Sequence, residues 1–286
     1  MGKIKIKIVS PSGAIDPEYI DRAAEVLRGW GYEVSESAHA RGKLGRFSAS
    51  DDDRVADLAD ALADPDVDMV LCARGGYGLQ RIIDRIPPIH KPIIGFSDIT
   101  ALHLLAARTG QPTIHAPMCK GIKDEGLRSV LDKGLRIKDK RLNSTGDAGV
   151  SPAVEKHYTE NSETKVISPS SFILHPASSP ILFIEDVGER HYHIDRMMNN
   201  LRLSGVLANI SGLIVGQFSD CEDDPSMGCT VYETIRHAVE PYHYPVVFNF
   251  PAGHVEENMP LYLNAPVEID VREDYSSSIH SFFKSS

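Results

Sequence analysis

The sequence predicts an α/β protein with an N-terminal parallel-sheet domain and a smaller, mixed α/β C-terminal domain. Over the first 115 residues, short apolar strands alternate with amphipathic helices. This order is typical of parallel sheets, because each parallel connection needs a crossover. The chain is 42% hydrophobic and 24% charged, and its 286 residues suffice for one large or two modest globular domains.

The N-terminal domain is expected over residues 1–120. An alternation of lysine and isoleucine predicts a strand over 3–9. Asp16 can cap a helix that begins at Pro17 and continues to Trp30. Ser50 and Asp53 approximate a capping box and predict a second helix to about residue 62. The remaining predicted elements are strands over 32–35, 67–73, 92–96 and 112–115, and helices over 79–86 and 99–108.

The C-terminal domain is expected over residues 180–286, after a polar linker with little periodicity over 121–179. Its serine-rich tail, from residue 276 to the end, is expected to fray. The predicted elements are strands over 180–184, 211–217, 246–250 and 266–271, and helices over 192–203 and 231–239.

Charge and cysteine content exclude several classes of function. The formal net charge of −10 disfavours nucleic acids and anionic membranes as partners. Four cysteines are too few for a disulfide scaffold, and none has the spacing of a zinc site built on paired cysteines. The N-terminus lacks the apolar core of a signal peptide, and no apolar run reaches about 18 residues. We therefore expect a cytoplasmic protein.

Ser97 is a candidate nucleophile, since it lies in a predicted turn between a strand and a helix. That position is the carboxyl edge of the sheet, where α/β proteins place their sites. The backbone N–H groups that follow could bind an oxyanion, as in a nucleophile elbow. The usual elbow glycine is replaced by Ile99, however, and Ser97 or Asp98 could instead cap the helix.

Residues Arg74–Gly78 form a glycine-rich loop after a buried strand. Glycine permits positive φ and close approach to a ligand, so this loop could supply a second oxyanion donor. It could also be a structural turn or a phosphate cradle. It matches neither a dinucleotide fingerprint nor a P-loop, and no phosphate-binding lysine follows it.

Acidic residues follow the strand that begins near residue 180. Glu185 could orient a histidine, as the acid of a catalytic triad does. Asp186 and Glu189 are rival acids, and any of the three could cap the following helix. His191 and His193 could pair on a metal ion, but no adjacent cluster completes that site.

His254 is the candidate base, because it lies in a predicted loop after a proline and a glycine rather than on an apolar helix face. Ser97, Glu185 and His254 have the residue types of a nucleophile, an orienting acid and a base. Sequence spacing alone does not establish that the three residues meet.

Five segments in order resemble the LD-carboxypeptidase family of serine peptidases, and the resemblance covers most of the chain. They are Ser10–Gly13, Arg74–Gly78, Gly95–Thr100, Leu182–Asp186, and Gly253 and His254 with Asn258. The resemblance implies two domains with the site between them.

The same resemblance implies a role for each site residue. The nucleophile falls on Ser97, the acid on Glu185 and the base on His254. The oxyanion donors fall on the backbone of Asp98 and Gly76. Arg74 and Gly75 are expected to contact the substrate.

The resemblance also implies an activity: cleavage of an L,D-peptide bond that releases the terminal D-alanine of a cytoplasmic murein tetrapeptide during cell-wall recycling. It implies no metal or cofactor, and a homodimer. The family's Gly-Gly-Asn-Leu stretch is replaced, however, by a different sequence over 166–174. Because the altered region 166–179 could change the pocket, two alternatives remain: a different peptide or peptidyl-nucleotide substrate, and a non-catalytic peptide-binding homologue.

Overall fold

The structure is a computed structural model that describes residues 3–123, 127–132, 180–265, 267–271 and 277–281. The altered segment 166–179 and most of the expected linker lie outside the described residues. The chain divides into two compact units, the first containing the described part of Met1–Thr145 with Asn258–Asn264. The second contains the described part of Gly146–Glu257 and Ala265–Ser286.

A six-stranded sheet forms the centre of the first unit, in the order β2-β1-β3-β4-β5-β9. The first five strands in this order pair in parallel, and β9 is antiparallel to β5. The strands, numbered along the chain, are β1 (Lys5–Val9), β2 (Glu33–Glu36), β3 (Met69–Cys72), β4 (Ile93–Gly95), β5 (Thr113–His115) and β9 (Leu261–Leu263). The largely parallel α/β architecture predicted for this part of the chain is therefore confirmed.

Helices of the first unit begin where local chemistry predicts. The helices between its strands are α1 (Pro17–Gly29), α2 (Asp51–Ala63) and α3 (Thr100–Ala107), and residues 127–132 are also helical. The Asp16 carboxylate caps α1 by accepting from the N–H of Glu18, and the Ser50 hydroxyl caps α2 by accepting from the N–H of Asp53. Apolar side chains from α2 and α3 pack with those of β3 and β4 in one core cluster.

The second unit contains a parallel three-stranded sheet in the order β6-β7-β8 and an antiparallel pair, β10-β11. This smaller, mixed sheet system agrees with the predicted fold class. Two helices, α4 and α5, cover β6 and β7 with an apolar core. The elements are β6 (Ile181–Val187), α4 (His191–Leu203), β7 (Gly212–Ser219), α5 (Val231–Val239), β8 (Val246–Val247), β10 (Val267–Val271) and β11 (Ser277–Ser281).

Three local predictions differ from the structure. The segment 79–86 forms two 3-10 turns rather than one helix, Leu79–Arg81 and Ile83–Arg85, since Pro87 and Pro88 leave too little chain for an α-helix. The short strand β9 was not predicted, because three residues carry little periodicity. The tail does not simply fray, since β11 pairs with β10 along five residues. In the described part of the chain, no helix is both long enough and apolar enough for a membrane span.

Candidate active site

Three loops of the first unit leave the carboxyl ends of the adjacent strands β1, β3 and β4 and converge at one edge of the sheet. The first loop contacts the glycine-rich loop directly, because the N–H of Gly13 donates to the carbonyl of Gly75 at 3.1 Å. A Cβ added to Gly13 would lie 2.8 Å from that carbonyl oxygen, so only glycine fits there. Such edges are where parallel α/β sheets place their ligands.

Ser97 follows β4 with a φ of 65°, in the left-handed region. The other described non-glycine residues with positive φ are Asp220, Asn249 and Asn264. Asn and Asp tolerate this region, whereas for other residues it costs about 1–2 kcal/mol. Of these four residues, Ser97 is therefore the one for which a left-handed backbone is costly. A strained backbone at this position is typical of a nucleophile elbow.

The glycine-rich loop packs directly against the Ser97 side chain. A Cβ on Gly75 would lie 2.9 Å from the Ser97 Cβ and 3.1 Å from its Oγ. Gly76 has a φ of 103°, and its N–H has no hydrogen-bond acceptor among the described residues. On the other side of the elbow, a Cβ on Gly95 would meet the Ile99 side chain at 3.0 Å. Because these positions are glycine, the backbone of the glycine-rich loop can pack closely against the Ser97 hydroxyl.

The Asp98 side chain holds these loops together. Its Oδ2 accepts from the Ser12 hydroxyl at 2.6 Å and from the N–H of Leu79 at 2.9 Å. Neither the 3-10 turn Ser97–Ile99 nor α3 has a side-chain cap. The structure therefore contradicts the alternative in which Ser97 or Asp98 caps the following helix.

Glu185 and His254 form a hydrogen-bonded pair within the second unit. The His254 Nδ1 lies 2.8 Å from the Glu185 Oε2. The Glu185 side chain is 7% exposed and that of His254 is 25% exposed. A buried carboxylate that accepts from Nδ1–H fixes the imidazole tautomer and leaves Nε2 as the basic nitrogen.

Two glycines make room for this pair. The register of β6 against β7 shifts beside Glu185, so that Ile184 faces Val215 while Asp186 faces Phe218. At this bulge, a Cβ on Gly216 would lie 3.0 Å from the Glu185 Cβ. A Cβ on Gly253 would lie 2.9 Å from the Glu185 Oε2. The bulge changes the direction of the Glu185 side chain, and the two glycines let the loop that carries His254 approach Glu185.

The rival acids have other partners. Glu189 Oε2 lies 2.6 Å from the His193 Nδ1, one helical turn along the chain. Asp186 accepts from the N–H of Val187, and burial raises the pKa of its carboxyl to about 6. The N-cap residue of the following helix α4 is Arg190, and no side chain caps that helix. None of the three acids therefore caps α4, and Glu185 is the acid that contacts His254.

His191 and His193, which are close enough in sequence to share a metal ion, have separate partners. The His191 Nε2 lies 2.7 Å from the Thr234 hydroxyl, and its Nδ1 accepts from the N–H of Asp224. His193 is paired with Glu189. Across the described ranges, no group of three or more His, Cys, Asp or Glu side chains could hold a metal ion.

Arg54 is a structural residue of the site that the sequence analysis missed. It is 1% exposed on α2, and its Nη1 donates to the carbonyls of Pro11 and Gly78 at 2.6 and 3.2 Å. It therefore joins two of the three loops. A charged residue one turn before Leu58 on the apolar face of α2 was the sequence feature that could have revealed it.

Comparisons with known proteins identify the family of the chain. A sequence model of the LD-carboxypeptidase N-terminal domain matches residues 6–116, and one of the LD-carboxypeptidase C-terminal domain matches residues 164–269. A Streptomyces coelicolor protein classed with the carboxypeptidases is 33% identical, and the match covers 93% of this chain and 90% of that protein. The murein tetrapeptide carboxypeptidase of Pseudomonas aeruginosa is 23% identical, with 89% of each chain covered.

Solved structures share the fold. The muramoyltetrapeptide carboxypeptidase of Oxalobacter formigenes has a TM-score of 0.74 and 22% identity, over 97% of this chain and 98% of that one. A microcin C7 self-immunity protein in complex with aspartyl sulfamoyl adenosine has a TM-score of 0.70 and 18% identity, over 99% and 98%. With both domain models matched and a relative 33% identical over nearly its full length, this chain belongs to the LD-carboxypeptidase family.

Proposed function

We propose that the protein is a serine carboxypeptidase in which Ser97 is the nucleophile, His254 the general base and Glu185 the acid that orients it. The observation that carries the proposal is the 2.8 Å hydrogen bond between His254 Nδ1 and Glu185 Oε2. It leaves Nε2 as the proton acceptor that a serine nucleophile requires. The strained backbone of Ser97 adds support, because such strain is concentrated at functional positions.

The proposed reaction has two stages. Nε2 of His254 accepts the Ser97 hydroxyl proton as Oγ attacks the scissile carbonyl, and the N–H groups of Asp98 and Gly76 stabilise the oxyanion. The C–N bond then breaks, and the leaving amine takes the proton from His254. Water, deprotonated by the same imidazole, hydrolyses the acyl-enzyme and releases Ser97. No metal or cofactor takes part in these steps.

For the substrate we propose a murein tetrapeptide, cleaved at its L,D-peptide bond with release of the terminal D-alanine. Support comes from the relative named murein tetrapeptide carboxypeptidase. The same proposal assigns the protein to cytoplasmic cell-wall recycling as a homodimer, following the family resemblance.

A second candidate substrate is a peptidyl-nucleotide. It is favoured by the fold shared with the self-immunity protein bound to aspartyl sulfamoyl adenosine. A panel assay that compares hydrolysis of the tetrapeptide with that of aminoacyl sulfamoyl adenosines would separate the two. A higher kcat/KM for the tetrapeptide supports the first proposal, and the reverse order supports the second.

Ser97→Ala tests the chemistry. Loss of the nucleophile should lower kcat for D-alanine release by about 10⁴-fold or more, while the fold is retained. A fluorophosphonate should add covalently to the wild-type protein and not to Ser97→Ala, as read by intact mass. Ser204→Ala, a change at an exposed helix end, is the matched control and should behave as wild type.

Near-wild-type turnover by Ser97→Ala would refute the assignment of the nucleophile. Absence of both turnover and covalent adduct in the wild-type protein would instead favour the non-catalytic homologue.

A further inference from the structure

A pocket of about 670 Å³ lies wholly within the first unit, beside the glycine-rich loop. Gly76 and Tyr77 of that loop line it, together with residues that follow β1 and residues that precede α2. The pocket therefore adjoins the loop whose N–H groups are proposed to bind the oxyanion. A substrate group just beyond the scissile bond would lie in such a place.

The lining of this pocket is cationic, in contrast to the acidic chain as a whole. Lys43, Arg46 and Arg74 line it, and none has a carboxylate within salt-bridge distance among the residues that the structure describes. Arg41 also lines it, but Glu36 and Asp21 neutralise that guanidinium at 2.6 Å each.

One acid opposes these charges. The Asp16 side chain lines the pocket, where it accepts from the N–H of Glu18 at the start of α1. Three uncompensated cations against one carboxylate, in a concave site, create a local positive potential within a protein of net charge −10. Such a pocket attracts an anion.

Two of the three cations contact neighbouring groups of the first unit. The Arg46 guanidinium lies 5.6 Å from the centroid of the Tyr77 ring. Arg74 donates from Nη1 to the carbonyl of Ala14 at 2.7 Å, and its other N–H groups remain available to a ligand. A guanidinium that is already hydrogen-bonded, as that of Arg74 is, loses less entropy on binding a carboxylate than a mobile one, so Arg74 is suited to recognition.

We propose that Lys43, Arg46 and Arg74 form a subsite that binds the terminal carboxylate of the peptide substrate. The inference rests on the proposed function, because the substrate of any carboxypeptidase carries a carboxylate one residue beyond the bond that is cleaved. The subsite holds that carboxylate through charge-assisted hydrogen bonds and so places the scissile carbonyl over the Gly76 loop. Such a subsite explains how a serine hydrolase would select the last peptide bond of its substrate.

The subsite is tested by measuring how two ligands bind to variants that also carry Ser97→Ala, so that the peptide is bound without being cleaved. The two probes are the tetrapeptide and the same peptide with its terminal carboxylate converted to an amide, measured by isothermal titration. Arg46→Gln should weaken binding of the acid by about five- to tenfold and leave binding of the amide unchanged within about twofold. Lys43→Gln should act in the same direction, and Arg46→Lys should retain part of the affinity.

Arg85→Gln is the matched control, because it removes one exposed positive charge that is paired with Asp52 and lies outside the pocket. It should leave both affinities unchanged. Equal losses for the acid and the amide in Arg46→Gln, or no binding of the acid, would overturn the subsite. So would adenosine monophosphate binding that depends on Arg46 while peptide binding does not.

The outcome separates the two proposals. If the wild-type enzyme releases D-alanine and Arg46 shows no coupling to the carboxylate, only the subsite is wrong. If the coupling is present and no peptide is hydrolysed, the subsite stands and the proposed reaction fails.

Discussion

At the scale of single residues, the Asp98 carboxylate decides the geometry around Ser97. One oxygen accepts from both the Ser12 hydroxyl and the N–H of Leu79, and so connects the loops after β1, β3 and β4. Ser97 itself adopts a φ that costs about 1–2 kcal/mol in a residue of its type. Such strain persists only where the surroundings over-determine it, and the Asp98 network is part of those surroundings.

Asp98→Ala should therefore lower kcat by about 10- to 100-fold with little change in KM, because the elbow loosens while the backbone N–H of residue 98 remains. Loss of two hydrogen bonds to a charged group should also lower the free energy of unfolding by about 2 kcal/mol. Turnover and urea denaturation measure the two effects. Asp98→Asn, which keeps an acceptor, should recover most of both, and an Ala variant with wild-type kcat would contradict the positioning role.

At the scale of secondary-structure elements, helix α2 supports the site through buried polar side chains. Arg54 donates to the loop after β1 at Pro11 and to the glycine-rich loop at Gly78, and its Nη2 lies 2.5 Å from Asp51. One turn further along, Asp57 accepts from Ser37 and His39 at 2.7–3.0 Å. The helix thus holds backbone carbonyls and loop residues at fixed positions.

Arg54→Met should lower the free energy of unfolding by about 3 kcal/mol, because it removes a buried cation and leaves the carbonyls of Pro11 and Gly78 without that donor. Arg81→Gln is the control. Arg81 pairs with the same Asp51 but is half exposed, so its loss should cost less than about 1 kcal/mol. Chemical denaturation of both variants gives the comparison. Equal effects of the two changes would show that burial of Arg54 is unimportant.

At the scale of the whole molecule, each unit has its own sheet, its own core and its own response to acid. In the first unit, burial lowers the pKa of His103 to about 4, while its Nε2 hydrogen-bonds the carbonyl of Gly95. In the second unit, burial raises the pKa of Asp186 to about 6. Because the unfolded state takes up this proton at a higher pH than the folded state, the free energy of unfolding falls as the pH drops from 6.5 towards 4. The raised pKa of Asp186 has the opposite effect, so its contribution to the free energy of unfolding increases as the pH falls over the same range.

The wild-type protein should lose about 2 kcal/mol of stability through His103 alone between pH 7 and pH 5. Because other groups also titrate, the measurement is the difference in this pH dependence between wild type and His103→Gln, from denaturation at the two pH values. The variant should show a weaker loss on acidification. If the free energy of unfolding changed equally with pH in both proteins, the prediction that His103 is buried in its neutral form would be wrong.

The sequence predicted most elements because the signals for them are local. Apolar periodicity gave α1 and α5 almost to the residue, and Asp16 and Ser50 cap where their positions indicated. The same signals were too short to predict β9, and they overestimated the helix after the glycine-rich loop. Site residues were also proposed from sequence, because each follows a strand and matches a family motif.

By itself, the sequence determined the fold class, most of the order of strands and helices, and the family, since all three depend on patterns within short segments. The family motif pointed to Glu185 as the acid, but only the tertiary structure shows that Glu185 is the acid in contact with His254. Local position alone leaves Glu185, Asp186 and Glu189 as rivals, and a bulge in the β6–β7 register with two close-packed glycines lets Glu185 meet His254. It also decided that Asp98 connects three loops rather than capping a helix. Both outcomes depend on which distant strands lie side by side, and no local pattern records that.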